Sequence, residues 1–512
     1  MILPLRANRS ALRHSLFLAR PLPRSPTPLY RLYSSSKPKP DSPNATSEPP
    51  DHRKLGTQQE LFMTSIYSPG SPIFLPNGAR IFNRLVDFLR RQYIHYGFEE
   101  VITPNIYKKS LWEVSGHLEN YAEDMYTVVG GTRQTEAATP APDHTHDGGC
   151  CGGDRDAVPS TADDEYGLKP MNCPGHCLIF ASKARSYRDL PIRYADFSPL
   201  HRNEISGALS GLTRVRRFHQ DDGHIFCRPS QIQAEVFRTL DFMKAVYGAL
   251  GIRGYSFALS TRPFDHYMGT DAEWARAEEQ LRAALDQAGQ PYTVKEGDGA
   301  FYGPKIDVML SDSDGRTHQA GTIQLDFQLP QRFNLKYQAP APEQEALGVP
   351  LEEVDASLKD TYGPVTPVLV HRAILGSVER LMALLIEEYN GKWPFWLNPR
   401  QVAILAINDA DPVVAWAERV KGHLTGHDAS ISEDERARTQ PAPTGITVDI
   451  DLSARPLGQK LEEAKAKNYG VVLVVGNKNV ASSTVTLNDG SRQNLSLDEL
   501  MAKLKDMVNT YQ

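Results

Sequence analysis

The stretch that decides the fold is RRFHQDDGH, residues 216–224. It follows a loop that contains Gly207 and Gly211, and its composition predicts a β-strand. Side chains alternate between the two faces of a strand, so every second residue of the run projects to the same side. The residues on that side are Phe218, Gln220, Asp222 and His224. A stacking ring, an amide, a carboxylate and an imidazole make a poor apolar core, but they suit the floor of a site for an extended polar substrate.

Residues 193–204 predict a preceding strand, which forms a hairpin with the first. Alternation sets Arg202 and Glu204 on one face of this strand. The planar guanidinium of arginine suits a phosphate, and a glutamate accepts hydrogen bonds from an exocyclic amine. With Phe218 as a stacking surface, the hairpin could hold a nucleotide by its phosphate and its base. The alternative for any single charged residue is a solvated position on an amphipathic hairpin.

These segments resemble motif 2 of the class II aminoacyl-tRNA synthetases, and three further sequence segments narrow the similarity to the threonyl-tRNA synthetase family. They are LKPMNCPGH at 168–176, AFYGPK at 300–305 and HRAILGSVER at 371–380. They occur in the family's order, and the similarity runs from about residue 60 to the C-terminus apart from one insertion. The resemblance implies an α+β catalytic domain built on an antiparallel sheet. It also implies activation of threonine with ATP to threonyl-adenylate, followed by transfer to tRNA(Thr).

The resemblance further implies one zinc ion per subunit, held by Cys173, His224 and His371. Three protein ligands leave zinc an open position, as in a site that binds substrate. In the family, the amine and the hydroxyl of threonine take that position, so zinc serves as a selectivity device and Lewis acid. Valine lacks the hydroxyl that zinc and Asp222 require, and such sites reject the analogue by about 10⁴–10⁵. Serine lacks only a methyl group, which is worth roughly 10–200-fold.

The family's nucleotide contacts carry over to matching positions. Arg202 is expected on the α-phosphate, Glu204 on the adenine edge and Phe218 on the adenine ring. Arg380 is expected on the second adenine face and the γ-phosphate, with Mg²⁺ accompanying ATP. Residues 378–389 have helical apolar spacing that would hold Arg380 in place.

Further site residues follow from the same resemblance. Gln319 and Gln324 lie five apart on one strand and face opposite ways unless a bulge intervenes; Gln319 is expected at ATP. Tyr302 and Lys305 resemble residues that close over the adenylate, and His117 matches a histidine implicated in transfer to tRNA. The residues expected at threonine are Asp222, Gln220, Tyr302 and Gln324. The expected catalytic residues are Arg202, Lys305, His117 and Arg380.

Composition is consistent with this reading. The 512 residues suggest two to four domains, and an apolar content of 40% is enough for each domain to form a hydrophobic core. With 56 basic and 62 acidic residues the formal charge is −6, so RNA contacts must come from local basic patches. Five cysteines argue against a disulfide-built secreted protein. No apolar run approaches the roughly 18 residues of a membrane span, and no membrane partner is expected.

The first 36 residues carry six arginines before the first acidic residue, Asp41, with interleaved leucines and a serine run. This pattern is typical of a mitochondrial transit peptide and predicts the mitochondrial matrix; a disordered basic tail is the alternative. Residues 37–55 are Pro- and Ser-rich and read as a linker. They are too few for the N-terminal editing domain of many threonyl enzymes. We therefore expect no clearance of mischarged serine by this chain itself.

The catalytic domain is predicted over residues 56–398. Within it, 79–96 has helical periodicity and leads into 98–104; this pair resembles motif 1 of the class and implies a homodimer. Residues 130–165 are rich in Gly, Pro, Thr and Asp and are predicted to be a disordered insertion. Four potential metal ligands fall inside it: His144, His146, Cys150 and Cys151. Adjacent cysteines do not readily chelate one tetrahedral ion, so a solvated loop is the preferred interpretation.

Residues 399–512 alternate short strands and helices and resemble the α/β anticodon-binding domain of this subclass. The predicted strands are 402–407, 446–450 and 471–475, and the predicted helices are 413–424, 457–467 and 500–511. Asp451, Gly458 and Lys460 fit the signature loop of that domain. Ser453 stands where an arginine is usual, and Arg455 is the candidate substitute.

Two other functions are alternatives to threonine activation. Prolyl-tRNA synthetase is a sister enzyme of similar build, but it has no use for the Cys173, His224 and His371 set. A non-catalytic synthetase-like RNA-binding protein should have lost its phosphate-binding arginines, yet Arg202 and Arg380 are present.

Overall fold

The central element is an eight-stranded sheet, which a computed structural model describes together with its surroundings over residues 49–129, 165–252, 254–311, 315, 317–427 and 443–512. The predicted transit peptide, most of the linker and residues 130–164 of the predicted insertion, with its four candidate ligands, lie outside these residues. Across the described ranges, no helix has both the length and the apolar character that a membrane crossing requires.

The N-terminal part holds most of the elements. Its strands are β1 (Phe62–Met63), β2 (Ile73–Phe74), β3 (Glu99–Glu100), β4 (Ile106–Lys108), β5 (Thr127–Val128), β6 (Tyr166–Leu168), β7 (Ile192–Asp196), β8 (Pro199–His201), β9 (Arg217–His219), β10 (Asp222–Cys227), β11 (Tyr255–Ser260), β12 (Tyr292–Lys295), β13 (Lys305–Ser311), β14 (Thr317–Asp326), β15 (Tyr337–Pro340), β16 (Tyr362–Val365) and β17 (Val368–Ala373). Its helices are α1 (His52–Gln58), α2 (Pro76–Tyr96), α3 (Lys109–Ser115), α4 (His117–Tyr121), α5 (Cys173–Ala181), α6 (Ile232–Ala249), α7 (Asp271–Gln287), α8 (Gln328–Arg332), α9 (Pro342–Ala346) and α10 (Val378–Glu388).

The central sheet has the strand order β12-β11-β13-β14-β17-β10-β7-β3. It is antiparallel except at its edges, where β12 runs parallel to β11 and β3 runs parallel to β7. The main apolar core lies between one face of the sheet and helices α2, α6, α7 and α10. Helix α5 and α8 pack on the other face with a smaller cluster. The predicted antiparallel sheet of the catalytic domain is therefore confirmed.

Strand β10 is buried along its whole length because both faces of the sheet are covered there. Its alternation separates the two sides as predicted: Ile225 and Cys227 join the main core, while Phe226 joins the cluster on the opposite face. Asp222 and His224 share the face of Phe226.

The predicted long strands are each broken in two. Residues 193–204 divide into β7 and β8, and residues 216–224 divide into β9 and the start of β10. Strands β7 and β10 pair in the central sheet, whereas β8 and β9 form a separate antiparallel ribbon. Buried carboxylates lie at both breaks and bind backbone N–H groups: Asp196 accepts from Ser198, and Asp221 from Ile374 and Leu375. Period-two alternation alone does not reveal such side-chain bonds, so the single-strand predictions were wrong.

The helix of motif 1 begins earlier than predicted. Helix α2 spans 21 residues, buries Ile81, Leu85, Phe88 and Leu89, and ends at Gly97, which has a φ of 72°. A left-handed residue of this kind is the common end of a helix and favours glycine. The following strand, β3, is only two residues long.

The linker predicted over residues 37–55 ends sooner than expected, because α1 already begins at His52. The side chain of Asp51 caps this helix by accepting from the N–H of Arg53.

The C-terminal part is an α/β unit around a second core. Its elements are β18 (Val402–Ala406), α11 (Asp411–Thr425), β19 (Val448–Asp451), α12 (Leu457–Ala466), β20 (Val471–Val475), α13 (Asn477–Ser482), β21 (Thr484–Leu487), β22 (Asn494–Ser496) and α14 (Leu497–Asn509). The strands form one sheet in the order β19-β18-β20-β21-β22, parallel over the first three and antiparallel beyond. Helix α13 and strands β21 and β22 were not predicted, since they are short and lack clear periodicity.

Asp196 yields a pH-dependent stability prediction. Its side chain is fully buried and accepts from the hydroxyl and N–H of Thr103 and the N–H of Ser198. Burial would raise the pKa of this carboxyl, but His176, these hydrogen bonds and Lys169 hold it at about 2. A lowered pKa stabilises the fold above the unfolded value near 4, and that contribution is lost as the pH falls toward 2. We expect Asp196→Asn to lower the free energy of unfolding by about 2 kcal/mol at pH 6.

Urea unfolding followed by circular dichroism at several pH values measures this effect. The gap between wild type and Asp196→Asn should narrow as the pH falls below about 4. Asp87→Asn, at an exposed position on α2, should stay within about 0.5 kcal/mol throughout. A gap that is constant from pH 6 to pH 3 would contradict the assignment.

Candidate active site

A cleft of about 470 Å³ opens on the central sheet, within the usual size range for small-molecule sites. Every residue that the sequence predicted for the site lines this cleft: His117, Cys173, Arg202, Glu204, Phe218, Gln220, Asp222, His224, Tyr302, Lys305, Gln319, Gln324, His371 and Arg380. The residues come from both halves of the sheet, from the β8–β9 ribbon and from the first residues of α4, α5 and α10.

Three potential metal ligands meet at one end of the cleft. One donor atom from each of Cys173, His224 and His371 lies within 4.8 Å of the others. The strand register explains part of this, since His224 on β10 lies directly opposite His371 on β17. Cys173 is the first residue of α5, which packs on the same face.

The orientation of the ligands fits a tetrahedral ion. His371 Nε2 lies 2.8 Å from the Oδ2 of buried Asp326, so His371 Nδ1 faces His224 Nε2 at 2.9 Å. Two nitrogens bound to one tetrahedral zinc would be about 3.3 Å apart. Asp326 thus lies where carboxylates orient metal-binding histidines in proteins. Without a cation, burial raises the pKa of the Cys173 thiol and lowers the pKa of His224, each well beyond its usual range.

Asp222 lies beside this cluster, with its Oδ1 3.9 Å from His224 Nε2. Its Oδ2 accepts a hydrogen bond of 3.1 Å from the side-chain amide of Asn172, which is almost fully buried. Tyr302 donates from its hydroxyl to the side-chain oxygen of Gln324 on the facing wall. Asn172 was not predicted, although it immediately precedes Cys173 and could have been found by asking what orients Asp222.

Gln319 and Gln324 both reach the cleft because β14 contains a bulge. Val308 pairs with Gly321, but the next residue of β13, Met309, pairs with Gln319, which leaves Ala320 as an extra residue. One extra residue reverses the alternation of side chains. The structure therefore contains the bulge that both glutamines need in order to face the same side.

The opposite end of the cleft is rich in arginine. The Arg202 guanidinium lies 5.0 Å from the centre of the Phe218 ring, and Glu204 accepts from Arg214 at 2.9 Å. Arg380 donates to the backbone carbonyls of Thr213 and Gln319. Burial and the neighbouring arginines, Arg202 and Arg214, lower the pKa of Arg380 from its usual value. These cations repel one another, so an anionic ligand that screens them would be stabilised.

Arg380 is held as predicted by the helix that carries it. The side chain of Ser377 caps α10 by accepting from the N–H of Arg380. The apolar face of α10 is buried, with Val378, Leu381 and Leu385 at or near zero exposure.

His117 lies beside the metal-ligand cluster and is buried. Its Nδ1 is 2.7 Å from the hydroxyl of Ser115, and its Nε2 is 3.8 Å from the thiol sulfur of Cys173. Burial and the nearby His371 lower the pKa of His117 to about 4. The ring is therefore neutral at physiological pH.

Arg455, the candidate substitute in the C-terminal domain, is bound within the protein. Its guanidinium donates to Asp451 at 2.6 Å and to Glu463 at 2.8 Å. Lys460 is buried and donates to the carbonyls of Ala406 and Ser453, so it stabilises the loop between β19 and α12.

Comparisons with known proteins agree with this geometry. The model of the class II tRNA synthetase core domain (G, H, P, S and T) matches residues 157–347, and that of the anticodon binding domain matches 401–507. The chain is 44% identical to the probable mitochondrial threonine–tRNA ligase of Schizosaccharomyces pombe over 90% of each protein. It is 42% identical to the mitochondrial threonine–tRNA ligase of Saccharomyces cerevisiae over 89% of this chain and 91% of that protein.

The chain belongs to the threonyl-tRNA synthetase family.

Among solved structures, the RNA binding domain of threonyl-tRNA synthetase from Cryptosporidium parvum matches with a TM-score of 0.71 and 43% identity, over 89% of this chain and 98% of that one. A prolyl-tRNA synthetase from Giardia lamblia, solved with prolyl-adenylate, shares the fold with a TM-score of 0.58 at 14% identity, over 90% of this chain and 80% of that one. The mitochondrial threonine–tRNA ligase 1 of Arabidopsis thaliana is 42% identical over 89% of this chain but only 55% of its own length.

Asp307 supports the cleft of this threonyl-tRNA synthetase family member and was not predicted from the sequence. It is buried on β13 and lies 3.0 Å from the Lys305 ammonium, and it accepts from the Gln319 amide at 2.6 Å. It is two positions from Lys305 on the same strand, so the period-two rule places both on one face and could have found it. Asp307 therefore positions two side chains that line the cleft.

We expect Asp307→Asn to lower kcat/KM for ATP by about 10- to 100-fold, because a charged hydrogen-bonded contact to Lys305 is lost. The value of kcat/KM is measured by ATP–pyrophosphate exchange over a range of ATP concentrations. Asp298→Asn is the matched control: Asp298 is 3.8 Å from Lys305 but 55% exposed, so its loss should change the value less than about threefold. Equal effects from both variants would argue against a special role for Asp307.

Proposed function

We propose that this chain is a threonine–tRNA ligase that acts in mitochondrial translation. It activates L-threonine with ATP to form threonyl-adenylate and transfers the threonyl group to tRNA(Thr). The observation that carries the proposal is one cleft with Cys173, His224 and His371 at one end and the arginines Arg202 and Arg380 at the other.

Zinc is the proposed metal of the Cys173, His224 and His371 set. One sulfur and two imidazole nitrogens are donors that zinc prefers, and the distances suit its tetrahedral geometry. A zinc ion held by these three residues would supply a Lewis acid toward the amine and hydroxyl of threonine. Asp222, oriented by Asn172, would accept from the threonine hydroxyl. Gln220, Tyr302 and Gln324 would complete the threonine pocket.

The arginine end would hold ATP. Arg202 is proposed to contact the α-phosphate, and Arg380 the γ-phosphate. Glu204 is proposed to bind the edge of the adenine, and Phe218 to stack on its ring. Lys305, held by Asp307, and Gln319 extend the same wall. Class II synthetases use Mg²⁺ with ATP.

Activation needs no side-chain nucleophile. The carboxylate oxygen of threonine attacks the α-phosphorus in line, the bond to the bridging oxygen breaks, and pyrophosphate leaves. Arg202 would stabilise the negative charge on the pentavalent phosphorus, and Lys305 and Arg380 would neutralise the leaving pyrophosphate. The residues mainly contribute position and fixed charge.

Transfer to tRNA requires removal of a proton from a terminal ribose hydroxyl. His117 is the proposed acceptor, since its ring is neutral at physiological pH and Ser115 fixes its orientation. The ring lies at the same end of the cleft as the metal ligands, where the threonyl group would be held.

A homodimer through motif 1 is part of the proposal. Ile94 on α2 and Ile102 after β3 are 83% and 87% exposed, so both apolar side chains are available to an interface. A second copy of this segment would cover them. The mitochondrial matrix is the proposed location, supported by the arginine-rich composition of residues 1–36 and by the names of the relatives.

The proposed domain boundaries are a catalytic domain over 56–398 and an anticodon-binding domain over 399–512. Two separate apolar cores support this division. Because Arg455 is bound to two carboxylates, an anticodon contact through it would have to displace Asp451 or Glu463.

The function is tested by ATP–pyrophosphate exchange with threonine, serine, valine and proline. We expect exchange with threonine, about 10- to 200-fold weaker kcat/KM with serine, and a deficit of about 10⁴ or more with valine. Proline should give no exchange. Absence of exchange from folded, zinc-loaded protein would instead favour a non-catalytic RNA-binding role, and exchange with proline alone would favour the sister enzyme.

The metal site is tested through Asp326. We expect Asp326→Asn to weaken zinc binding by about 10- to 100-fold, because His371 loses its orienting carboxylate. Competition with a chromophoric chelator measures zinc affinity without any activity assay. Asp286→Asn, at an exposed position on α7, is the control and should bind zinc as the wild type does. Unchanged affinity in Asp326→Asn would count against the proposed site.

A further inference from the structure

The loop between β8 and β9 forms one wall of the arginine end of the cleft. Thr213, Arg214 and Val215 line the cleft, and the N–H groups of Thr213 and Arg214 donate to the carbonyl of Ser210 in a tight turn. The carbonyl of Thr213 accepts from Arg380 Nε at 2.9 Å. This loop, residues 210–214, is thus fastened to the first turn of α10.

A second link between the loop and α10 is made by hydrogen bonds of His52, the first residue of α1. The N–H of Leu212 donates to His52 Nε2 at 3.2 Å. His52 Nδ1 lies 2.7 Å from Glu387 Oε1, and the His52 N–H also donates to that oxygen. Glu387 follows Arg380 by seven positions on α10, which is about two turns, so both face the same side of the helix. The loop is bound to one helix face directly through Arg380 and indirectly through His52.

The protonation of His52 follows from its partners. A backbone N–H can only donate, so Nε2 is the acceptor, and Nδ1 carries the proton that it donates to Glu387. The ring is 6% exposed. Asp51, His52 and Glu387 also bring potential ligand atoms within 4.8 Å of one another, but hydrogen bonds occupy both ring nitrogens, so we assign no metal to them.

The close approach of the loop to His52 depends on Gly211. Its φ of 49° is left-handed, and a Cβ at this position would lie 2.1 Å from His52 Nε2. Glycine is therefore required both by the backbone conformation and by the space that the imidazole fills. The side chain of Leu212 is fully buried in the main core, which fixes the other side of the turn.

We propose that His52 is a positioning residue that holds the loop 210–214 against α10 and thereby sets the affinity for ATP. The inference rests on the proposed function, in which Arg380 and this loop contact the nucleotide. His52 does not touch the substrate. Its removal would leave the Leu212 N–H without a partner and let the loop and the Arg380 side chain move relative to each other.

Three variants separate the two contacts of His52. In His52→Gln the side-chain oxygen can accept from Leu212, as Nε2 does. In His52→Asn the shorter amide can donate to Glu387, as Nδ1 does, but it does not reach Leu212. His52→Ala loses both contacts. We expect the KM for ATP in pyrophosphate exchange to rise about 5- to 30-fold in His52→Ala and His52→Asn, and less than about threefold in His52→Gln. The KM for threonine and the zinc content should be unchanged in all three.

Hydrogen exchange of the Leu212 amide provides a readout that does not depend on activity. Its exchange should be faster in His52→Ala and His52→Asn than in wild type and in His52→Gln. A wild-type ATP KM and wild-type amide protection in His52→Asn would overturn the proposal, as would a His52→Gln variant no better than His52→Ala. Equal losses for ATP and threonine would indicate a general structural role and also overturn it. If wild type itself shows no exchange with any amino acid, the proposed function fails, whereas the amide protection still decides whether His52 holds the loop.

Discussion

The pairing of β10 with β17 is the constraint on which the rest of the site depends. It sets His224 opposite His371 across 147 positions of sequence, and Gly223 opposite Arg372. A Cβ on Gly223 would lie 2.4 Å from Arg372 Nε, so this pairing requires glycine at that point. A slip of either strand by one residue would turn its histidine to the other face of the sheet and separate it from the histidine of the partner strand.

Arg372 carries the effect of this pairing into the next element. Its guanidinium is buried among the rings of Tyr93, Phe98 and Phe242 and donates to Asp221 at 2.8 Å. Asp221 in turn accepts from the N–H groups of Ile374 and Leu375, which begin the turn that leads into α10. The same strand pair therefore aligns the two histidines of the candidate metal site and, through Asp221, the start of the helix that carries Arg380.

The sequence predicted which residues line the cleft more completely than it predicted the geometry that joins them. Alternation correctly assigned Asp222 and His224 to one face, and apolar spacing correctly identified α10. The strand breaks at Asp196 and Asp221 were missed, because they arise from side chains binding distant backbone. The bulge at Ala320 could not be predicted, because the sequence of one strand does not show which residues of the neighbouring strand it pairs with. Asp307 and Asn172 were overlooked although each lies within two positions of a predicted site residue in the sequence, because each acts by orienting another side chain and the search was for residues that contact the ligands directly.

Helix α1 has a consequence for how much of the N-terminal segment the enzyme can lose. Asp51 caps the helix and His52 is its first residue, so the structural requirement begins there and not at the start of the predicted catalytic domain. Removal of the chain through residue 52 would remove the link that His52 makes between α10 and the loop 210–214. Truncation of the chain from its N-terminal side is thereby limited by the architecture of the cleft: a chain that begins at Asp51 keeps this link, and one that begins after His52 does not.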